Sequence, residues 1–407
     1  MADRTFAVVG ANLAGGRAVE ALRKEGFDGR IVLFGEEPHR PYERPPLSKE
    51  VLRGEHEESK AFLRDESWYA DNQVELDLGT RVTQIDPAER AVMAGGKLVG
   101  YDALLLCTGG RPRRLDVPGA DLEGIFTLRT MEDARAIGER LKDGATVAVV
   151  GMGFIGAEVA ASARTLGCDV TVFEVFETPL ERVLGPEIGA TVAGLHRDNG
   201  VRLEMKATAE RFEGDGGVRR VVLADGRTFD ADVVVMGVGI EPADELAREA
   251  GIACNDGIVV DERCRTSAPG VYAAGDVANH PNPILGHRLR LEHWQNAQKQ
   301  AAAAARAMMG GTEPFADLPW FWSDQFDANI QMYGHTTAWD EIVFRGDVEG
   351  RNFAAFYMSG GTIAQAFACN RAKDARAVRP LIEKRAKMDP AVLADESTDL
   401  RALAKQA

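Results

Sequence analysis

The sequence has 407 residues, which is enough for two or three domains with separate cores. Hydrophobic residues make up 45% and charged residues 27% of it, as in a soluble globular protein, and no apolar stretch reaches the roughly 20 residues of a membrane-spanning helix. The formal net charge of −15 argues against nucleic acid as a partner, because phosphate binding needs a basic surface. We therefore expect no nucleic acid and no membrane partner.

The first residues (M-A-D-R-T-F-A-V-V-G) run into an apolar segment without signal-peptide features, so we expect a cytoplasmic protein. No two of the five cysteines are close enough for a C-x-x-C or C-x4-C pair. They are Cys107, Cys168, Cys254, Cys264 and Cys369. An odd, scattered set predicts reduced thiols, most of them buried as small apolar residues, and no metal site is expected.

The chain opens with the pattern of a βαβ unit. Residues 5–10 (T-F-A-V-V-G) form an apolar run that ends in glycine, a helical pattern follows, and a second apolar run extends from Ile31 to Phe34. The same pattern recurs at 146–174. Two such units predict two sheets of parallel strands, each with a helix that connects its first two strands.

Further buried strands are predicted at 101–108, 231–239 and 271–276, each followed or ended by glycine. From about residue 320, alternating aromatic and amide-rich stretches predict an antiparallel sheet, and a charged helical tail closes the chain. The expected fold class is α/β, with two Rossmann-like dinucleotide-binding domains and a C-terminal α+β domain. We expect a discontinuous first domain (1–110 and 238–318), a second (111–237) and a third (319–407).

The first Gly-rich turn reads G-A-N-L-A-G at 10–15. A dinucleotide fingerprint has three glycines, for tightness, for approach of the pyrophosphate and for helix packing. Asn12 replaces the second glycine, and because asparagine tolerates a positive φ the turn remains possible. Glu36 follows the second strand, where a carboxylate binds a ribose hydroxyl.

The second fingerprint, G-M-G-F-I-G at 151–156, is intact, and Glu174 ends its second strand. A carboxylate at that position accepts hydrogen bonds from the ribose diol of NAD and repels the additional phosphate of NADP. The spacing therefore favours NADH. Two fingerprints, each between a strand and a helix, are much stronger evidence than one.

At this level of detail the sequence resembles the two-dinucleotide flavoprotein reductases, and among them the FAD-dependent ferredoxin reductases that serve cytochromes P450 and arene dioxygenases. The resemblance extends from Gly10 to about Arg376. It is carried by R-P-P-L-S-K (44–49), T-G-G-R-P-R (108–113), L-R-T-M-E-D-A (128–134), G-F-I-G-A-E (153–158), T-S-A-P-G-V-Y-A-A-G-D-V (266–277), L-E-H-W-Q-N-A (291–297) and F-W-S-D-Q (321–325).

The resemblance implies bound FAD and NAD(H) and a set of residues around them. Those expected to bind the cofactors are Gly10, Ala14, Gly15, Glu36, Arg44, Lys49, Val82, Thr108, Gly109, Arg129, Gly151, Gly153, Ile155, Gly156, Glu158, Glu174, Gly239, Asp276 and Trp294. Lys49, Glu158 and Trp322 are the expected catalytic residues: Glu158 would face the nicotinamide and pair with Lys49, and Trp322 would pack near the flavin ring. Hydride transfer between the two rings needs stacking and charge stabilisation rather than a general acid.

Each polar assignment has a plainer alternative. Lys49 and Glu158 could form an ordinary surface ion pair, and surface pairs are common and weak. Trp322 could belong to simple core packing.

Flavoprotein disulfide reductases carry a C-x4-C pair after their second strand, and related peroxidases carry one reactive cysteine there. This chain has no cysteine before Cys107. Electrons would therefore leave the flavin directly, and because flavin releases them singly, a small iron–sulfur ferredoxin is the expected acceptor.

An acidic ferredoxin would need a basic docking surface on this acidic protein. Residues 371–387 contain seven Lys and Arg against two acidic residues, and Arg111, Arg113 and Arg114 form a second basic cluster. Either cluster could instead be a solvated helix or loop surface without a partner.

We expect a monomer or a weak homodimer. Three alternatives stay open: a rubredoxin reductase, an NADH oxidase or quinone-type reductase, and a non-catalytic FAD- and NADH-binding redox sensor.

Overall fold

The structure is a computed structural model that describes residues 4–406. It divides into two compact units. The first unit contains the chain up to Glu43 together with Ser59–Arg111 and Glu241–Phe321. The second unit contains Arg44–Glu58, Pro112–Ile240 and the chain from Trp322 onward. The division into three domains stays a prediction.

The strands, in chain order, are β1 (Thr5–Val9), β2 (Arg30–Gly35), β3 (Val74–Leu78), β4 (Val82–Asp86), β5 (Ala91–Ala94), β6 (Lys97–Gly100), β7 (Ala103–Leu106), β8 (Gly110–Pro112), β9 (Ile125–Thr127), β10 (Thr146–Val150), β11 (Asp169–Glu174), β12 (Arg202–Met205), β13 (Ala209–Asp215), β14 (Gly217–Leu223), β15 (Thr228–Asp230), β16 (Val233–Met236), β17 (Ile240–Pro242), β18 (Ile258–Val259), β19 (Val271–Ala273), β20 (Ala278–Asn282), β21 (His287–Arg290), β22 (Trp320–Gln325), β23 (Ala328–Gly334), β24 (Glu341–Asp347), β25 (Asn352–Ser359) and β26 (Thr362–Cys369).

The α-helices are α1 (Leu13–Lys24), α2 (Glu66–Asp71), α3 (Met131–Gly138), α4 (Phe154–Thr165), α5 (Glu181–Asp198), α6 (Glu245–Glu249), α7 (Trp294–Met308), α8 (Ala372–Ala377), α9 (Arg379–Glu383), α10 (Pro390–Ala394) and α11 (Leu400–Gln406). Two short 3-10 helices cover Pro45–Ser48 and Glu58–Ala61.

The first unit is built on a sheet with the strand order β19-β7-β1-β2-β3, and the strands are parallel. The chain moves from β1 to β2 and β3 on one side, and β7 and β19 lie on the other side. The direction of the order therefore reverses between β1 and β7, and ligands of such sheets bind at this point, beyond the carboxyl ends of the strands.

Helix α1 packs against helix α7 within the first unit. The contact is made by small residues such as Ala18 on α1 and Ala301 and Ala304 on α7, all fully buried in one apolar cluster. Small side chains let two helices approach closely, because little volume separates their backbones. The antiparallel sheet β4-β5-β6 and the sheet β18-β20-β21 complete the unit.

The second unit repeats the arrangement in a parallel sheet with the order β12-β11-β10-β16-β9. The order reverses between β10 and β16, so this sheet also has a switch point at the carboxyl end of its first strand. Both predicted βαβ units are confirmed, since β1 and β10 each lead into a helix and a parallel second strand.

The C-terminal part of the second unit contains the sheet β22-β23-β26-β25-β24. Its pairs β23–β26, β25–β26 and β24–β25 are antiparallel, which confirms the antiparallel sheet predicted after residue 320. Alternation along β22 places Ser323 and Gln325 on its buried side. Among the described residues, no helix is both long and apolar enough to span a membrane.

Candidate functional site

The first fingerprint forms the turn between β1 and α1, at the switch point of the first sheet. Gly10 has φ +117°, and a Cβ atom there would lie 2.2 Å from the carbonyl oxygen of Cys107. A Cβ on Gly15 would lie 2.0 Å from the carbonyl oxygen of Gly10. The first glycine is therefore required by both backbone conformation and space, and the third is required by the close contact between helix and turn.

The turn forms with Asn12 in it, but not through the positive φ whose tolerance was our reason for considering the turn possible. The φ of Asn12 is −114° and its ψ is −166°, an extended conformation that any residue can adopt. Its side-chain oxygen accepts hydrogen bonds from the amides of Ala14 (3.0 Å) and Gly15 (3.3 Å), and its side-chain nitrogen donates to the carbonyl of Cys107 (2.5 Å). Asn12 is therefore the N-cap of α1.

Other predicted residues of the first unit surround the same edge of the sheet. The Glu36 side chain, after β2, is 62% exposed and pairs with Arg81 at 3.3 Å. Gly109 has φ +69°, and the Thr108 hydroxyl donates to the carbonyl of Ala243 at 2.6 Å. Both residues thus shape the turn after β7.

Three further predicted residues lie in this unit, and they are Val82, Asp276 and Trp294. Val82 is buried in an apolar cluster beside the sheet, so its side chain belongs to the core. The carbonyl of Asp276 accepts a hydrogen bond from Arg290 at 3.1 Å. Trp294 is the first residue of α7, and it packs on the apolar cluster that contains Ala14.

The second fingerprint forms the turn between β10 and α4. Gly151 has φ +91°, and a Cβ on Gly156 would lie 2.1 Å from the carbonyl oxygen of Gly151. A Cβ on Gly153 would meet nothing closer than the carbonyl oxygen of Gly237, at 4.0 Å. Ile155 is 44% exposed and Val175 is 55% exposed, both unusual for large apolar residues. The turn between β10 and α4 therefore has open space next to Gly153, and the exposed side chains of Ile155 and Val175 add apolar surface near it.

Glu174, at the end of β11, is only 6% exposed, and both of its carboxylate oxygens are engaged. One accepts a hydrogen bond from the amide of Met152 at 2.6 Å, and the other from the amide of Phe176 at 3.1 Å. Glu174 therefore holds the Gly-rich turn through its middle residue. Each oxygen retains a second lone pair with which it could accept a ribose hydroxyl.

The predicted pair of Lys49 and Glu158 is present in the second unit and is buried. Lys49 Nζ lies 3.4 Å from Glu158 Oε1, and the side chains are 6% and 5% exposed. The alternative of an ordinary surface ion pair is therefore wrong. Ser48 Oγ donates to Glu158 Oε2 at 2.5 Å, and Ser323 Oγ donates to Oε1 at 2.7 Å.

Burial raises the pKa of Glu158, because a buried carboxylate loses its hydration. Lys49 acts in the opposite direction through its charge, and Ser48 and Ser323 do so through their hydrogen bonds. The site thus contains a carboxylate whose charge depends on three neighbouring donors. Such a group is a candidate functional residue, since titratable groups with shifted pKa values concentrate at functional sites.

Trp322 lies beside this pair. Lys49 Nζ is 5.5 Å from the centroid of the Trp322 ring, within the range of a cation–π contact, and the indole nitrogen donates to Asp324 at 3.1 Å. Arg44 donates to the main-chain carbonyl of Arg129. Lys49, Glu158 and Trp322 are therefore close together, and the roles of all five residues stay predictions.

The remaining predicted residue of the second unit, Gly239, has φ +99°, and its carbonyl accepts from the amide of Arg113 at 2.9 Å. It lies after β16, on the other side of the switch point from β10. Its place in the turn fits a residue that shapes the site through the backbone.

The basic segment 371–387 is partly neutralised. Arg371 pairs with Asp374 and Glu396, both at 2.7 Å, and Arg379 pairs with Glu383 at 2.7 Å. The second cluster is also engaged, since Arg111 pairs with Glu245 at 2.6 Å. Whether either cluster receives a partner stays a prediction.

The five cysteines are free thiols, and all but Cys254 are buried, which confirms the sequence prediction. Burial raises the pKa of the half-buried Cys254 thiol and of the Cys369 thiol to about 11 in each case, and that of Cys264 to about 12. Thiols with such pKa values are protonated at neutral pH and are poor nucleophiles. The described residues thus contain no disulfide and no activated thiol of the kind that relays electrons.

Four polar residues that support Glu158 were not predicted from the sequence. They are Ser48, Ser323, Gln325 and His196. The first three lie inside the motifs R-P-P-L-S-K and F-W-S-D-Q, so their position in a motif was a usable signal. His196 lies in the middle of a helix with no motif around it, so its contact with Gln325 is visible only in the fold.

Two family comparisons cover most of the chain. Residues 4–301 match the pyridine nucleotide-disulphide oxidoreductase family, and residues 320–404 match the reductase C-terminal family. The biphenyl dioxygenase system ferredoxin–NAD(+) reductase component of Paraburkholderia xenovorans is 43% identical over 98% of both chains. The benzene 1,2-dioxygenase system ferredoxin–NAD(+) reductase subunit of Pseudomonas putida is 39% identical over 97% of this chain and 96% of its own.

Solved structures agree with these matches. A covalent putidaredoxin reductase–putidaredoxin complex contains a chain with a TM-score of 0.97 and 34% identity that covers all of both chains. The ferredoxin reductase of the CYP199A2 system from Rhodopseudomonas palustris has a TM-score of 0.95 and 37% identity, over 99% of this chain and 100% of its own. The resemblance suggested by the motifs is confirmed. The chain belongs to the pyridine nucleotide-disulphide oxidoreductase family, in its group of FAD-dependent ferredoxin–NAD(+) reductases with a reductase C-terminal domain.

Proposed function

We propose that this protein uses FAD to take a hydride from NADH and delivers the electrons singly to a small iron–sulfur ferredoxin of an oxygenase system. The observation that carries the proposal is the presence of two dinucleotide turns, each at the switch point of its own parallel sheet, together with the lack of an activated thiol among residues 4–406. Bound FAD supplies the chemistry that links a two-electron donor to a one-electron acceptor.

The first unit fits FAD. The turn at Gly10 presents the start of α1 at the switch point, where a pyrophosphate binds, and the exposed Glu36 carboxylate lies where a ribose hydroxyl is expected. Within the described chain, the buried side-chain atoms Gln295 Oε1 and Gln300 Nε2 have no hydrogen-bond partner. The side-chain oxygen of Gln300 also accepts a hydrogen bond from the amide of Gly275. A Cβ atom added to Gly275 would lie 3.0 Å from the Cβ of Ala14, so Gly275 is close to the first Gly-rich turn. Buried polar atoms without a protein partner near the first Gly-rich turn are consistent with a polar ligand that would supply the missing hydrogen bonds.

The second unit fits a nicotinamide dinucleotide. Helix α4 begins without a side-chain cap, so its first amides are available to an anion. The space beside Gly153 would admit a pyrophosphate, and Ile155 and Val175 would cover apolar parts of the ligand. We assign NADH to this site, and we assign Glu158 to the nicotinamide end, two residues beyond the last glycine of the turn.

The experiment uses the purified protein reconstituted with FAD. NADH oxidation is measured with a ferredoxin and cytochrome c, with ferricyanide, and with oxygen alone. Fast turnover with ferredoxin and slow turnover with oxygen support the proposal. Rapid peroxide formation would instead identify an oxidase, efficient transfer only to rubredoxin would identify a rubredoxin reductase, and a stable NADH complex without turnover would identify a redox sensor.

The ferredoxin is proposed to serve an aromatic-ring dioxygenase or a cytochrome P450, as the names of the similar proteins suggest. The docking surface is proposed to include the exposed cations of segment 371–387, among them Lys373 and Arg385. Charge reversal at Lys373 and Arg385 together should raise the KM for an acidic ferredoxin at low salt and leave ferricyanide turnover unchanged. An unchanged KM would exclude this surface.

A further inference from the structure

A chain of buried hydrogen bonds connects Glu158 to a histidine on another element. Ser323 Oγ donates to Glu158 Oε1 at 2.7 Å, Gln325 Nε2 donates to Ser323 Oγ at 3.1 Å, and His196 Nε2 lies 3.0 Å from Gln325 Oε1. The four side chains come from α4, β22 and α5, and none is more than 4% exposed. A fully buried polar chain is costly unless every member has a partner, so its geometry is tightly constrained.

The donor and the acceptor in each of these hydrogen bonds follow from the number of protons that each side chain carries. Ser323 has one hydroxyl proton, which it gives to Glu158, so it must accept from the next group. The amide nitrogen of Gln325 satisfies that requirement, which turns its oxygen toward His196. An amide oxygen only accepts, and therefore His196 must carry its proton on Nε2.

The surroundings of His196 favour the same tautomer. Within the described residues, His196 Nδ1 is buried and has no hydrogen-bond partner. A buried N–H without an acceptor is rarer in proteins than a buried lone pair without a donor. The Phe326 ring packs edge to face against the imidazole at 5.2 Å, which leaves the ring little freedom to rotate. Protonated Nε2 and unprotonated Nδ1 therefore satisfy both sides of the ring.

The opposite tautomer would change the site. If His196 carried its proton on Nδ1, Nε2 would accept, and the amide of Gln325 would have to turn over. Its oxygen would then face Ser323 and attract the hydroxyl proton that Glu158 now receives. Glu158 would lose one of its three donors and would move toward Lys49, which is now 3.4 Å away, longer than a charge-assisted hydrogen bond normally is.

We propose that His196 is a positioning residue, which acts through Gln325 and Ser323 to hold the Glu158 carboxylate apart from Lys49 and oriented for the nicotinamide. The proposal rests on the function proposed above, in which Glu158 faces the nicotinamide. It predicts that the tautomer of a histidine three hydrogen bonds away controls the reaction of the bound NADH. No step of the reaction needs His196 to gain or lose a proton.

The test compares four variants of the FAD-reconstituted protein. His196→Leu removes the donor, and His196→Gln keeps an N–H in a similar place. Ser323→Ala breaks the chain next to Glu158 with a smaller change in volume, so it remains informative if His196→Leu does not fold. His280→Leu removes a buried imidazole that has no connection to Glu158 in the described structure, and it is the matched control.

The kinetic measurement is kcat and KM for NADH with ferricyanide. His196→Leu and Ser323→Ala should lower kcat about fivefold, the effect of one misplaced hydrogen bond, with KM changed less than about twofold. His196→Gln should restore kcat to within about twofold of the wild type, and His280→Leu should not lower it by more than that. Equal kcat values for wild type, His196→Leu and Ser323→Ala would overturn the proposal, as would a His196→Gln variant no better than His196→Leu.

A second measurement does not depend on activity. Nitrogen NMR of protein labelled in its histidines should show His196 with a protonated Nε2 and an unprotonated Nδ1, and Gln325→Leu should shift this signal. A protonated Nδ1 in the wild type would overturn the proposal. If the wild type did not oxidise NADH at all, the proposed function would fail while this NMR result could still be obtained, so the two failures are distinguishable.

Discussion

The ammonium of Lys49 and the carboxylate of Glu158 lie 3.4 Å apart in an environment where both side chains are about 95% buried. Two serine hydroxyls approach the carboxylate more closely than the ammonium does, at 2.5 and 2.7 Å. The carboxylate and the ammonium therefore do not form a tight ion pair. Each charge still produces an electrostatic field at the site. A site that transfers a hydride between two rings uses such fixed charges where charge develops.

Replacing Lys49 by methionine should remove the positive charge with little change in volume. The buried Glu158 carboxylate would then lack its ionic partner, and we expect the free energy of unfolding to fall by about 3 kcal/mol. We also expect slower bleaching of the flavin absorbance after mixing with NADH in a stopped-flow instrument. Lys206→Met, which breaks an exposed pair with Glu177 at 2.9 Å, is the control and should change stability by less than about 1 kcal/mol. Wild-type bleaching in Lys49→Met would remove Lys49 from the site.

Glu174→Gln should weaken NAD(H) binding without large structural change. The amide oxygen can replace one of the two acceptors that hold the turn, but the negative charge that favours a ribose diol is lost. We expect the dissociation constant for NAD⁺, measured by titration calorimetry on the FAD-reconstituted protein, to rise about 3- to 10-fold. Glu177→Gln, at an exposed position in the same loop, should leave the constant unchanged. Equal constants for wild type and Glu174→Gln would exclude a ribose contact.

Asn12→Ala should destabilise the first unit. The variant loses the N-cap bonds to Ala14 and Gly15 and the bond to the carbonyl of Cys107, and we expect about 1–2 kcal/mol less stability in urea unfolding of the apoprotein. Asn12→Gly should cost less, since glycine is an acceptable N-cap and the backbone there is extended. If Asn12→Ala were as stable as the wild type, Asn12 would not be a structural cap.

The protein should lose stability in mildly acidic solution through His196. Burial lowers the pKa of His196 to about 4, whereas an exposed histidine titrates near 6.5. Between these pH values the unfolded chain binds a proton that the folded protein does not, so stability is complete above about pH 6.5 and falls as the pH decreases toward 4. From pH 7 to pH 5 the contribution is about 2 kcal/mol.

The measurement is the urea unfolding midpoint at pH 7 and pH 5 for the wild type and His196→Gln. The variant should lose less stability over this interval than the wild type, because glutamine does not titrate. His56→Gln, at an exposed position, should behave as the wild type does. A His196→Gln protein with the full wild-type loss would show that His196 does not remain neutral in the folded state. His280, whose pKa burial also lowers to about 4, contributes equally to all three proteins.

Much of the fold could be predicted because its signals are local. The apolar run before Gly10 and the one before Gly151 each specify a buried strand, and the glycines that follow specify a turn that no other residue could occupy. The change of composition near residue 320 is local as well, since buried and less buried residues alternate along β23 and β24, which reflects the two faces of one sheet.

The site could be predicted only in part. Lys49 and Glu158 were found because they lie in motifs, but their burial depends on packing between segments distant in sequence, and a motif does not show it. The conformational reason for accepting Asn12 in the turn did not apply, because the sequence does not reveal which position of the turn needs a positive φ. His196 could not be found, since 129 residues separate it from Gln325.

The most direct test of the central claim is an anaerobic titration of the FAD-reconstituted protein with NADH. A chain in which flavin is the sole redox group takes up two electrons, so about one equivalent of NADH per FAD should complete the loss of flavin absorbance, and added oxidised ferredoxin should then recover it. A requirement for about two equivalents would mean that a disulfide is reduced as well, and would contradict an electron path that runs from the flavin directly to the ferredoxin.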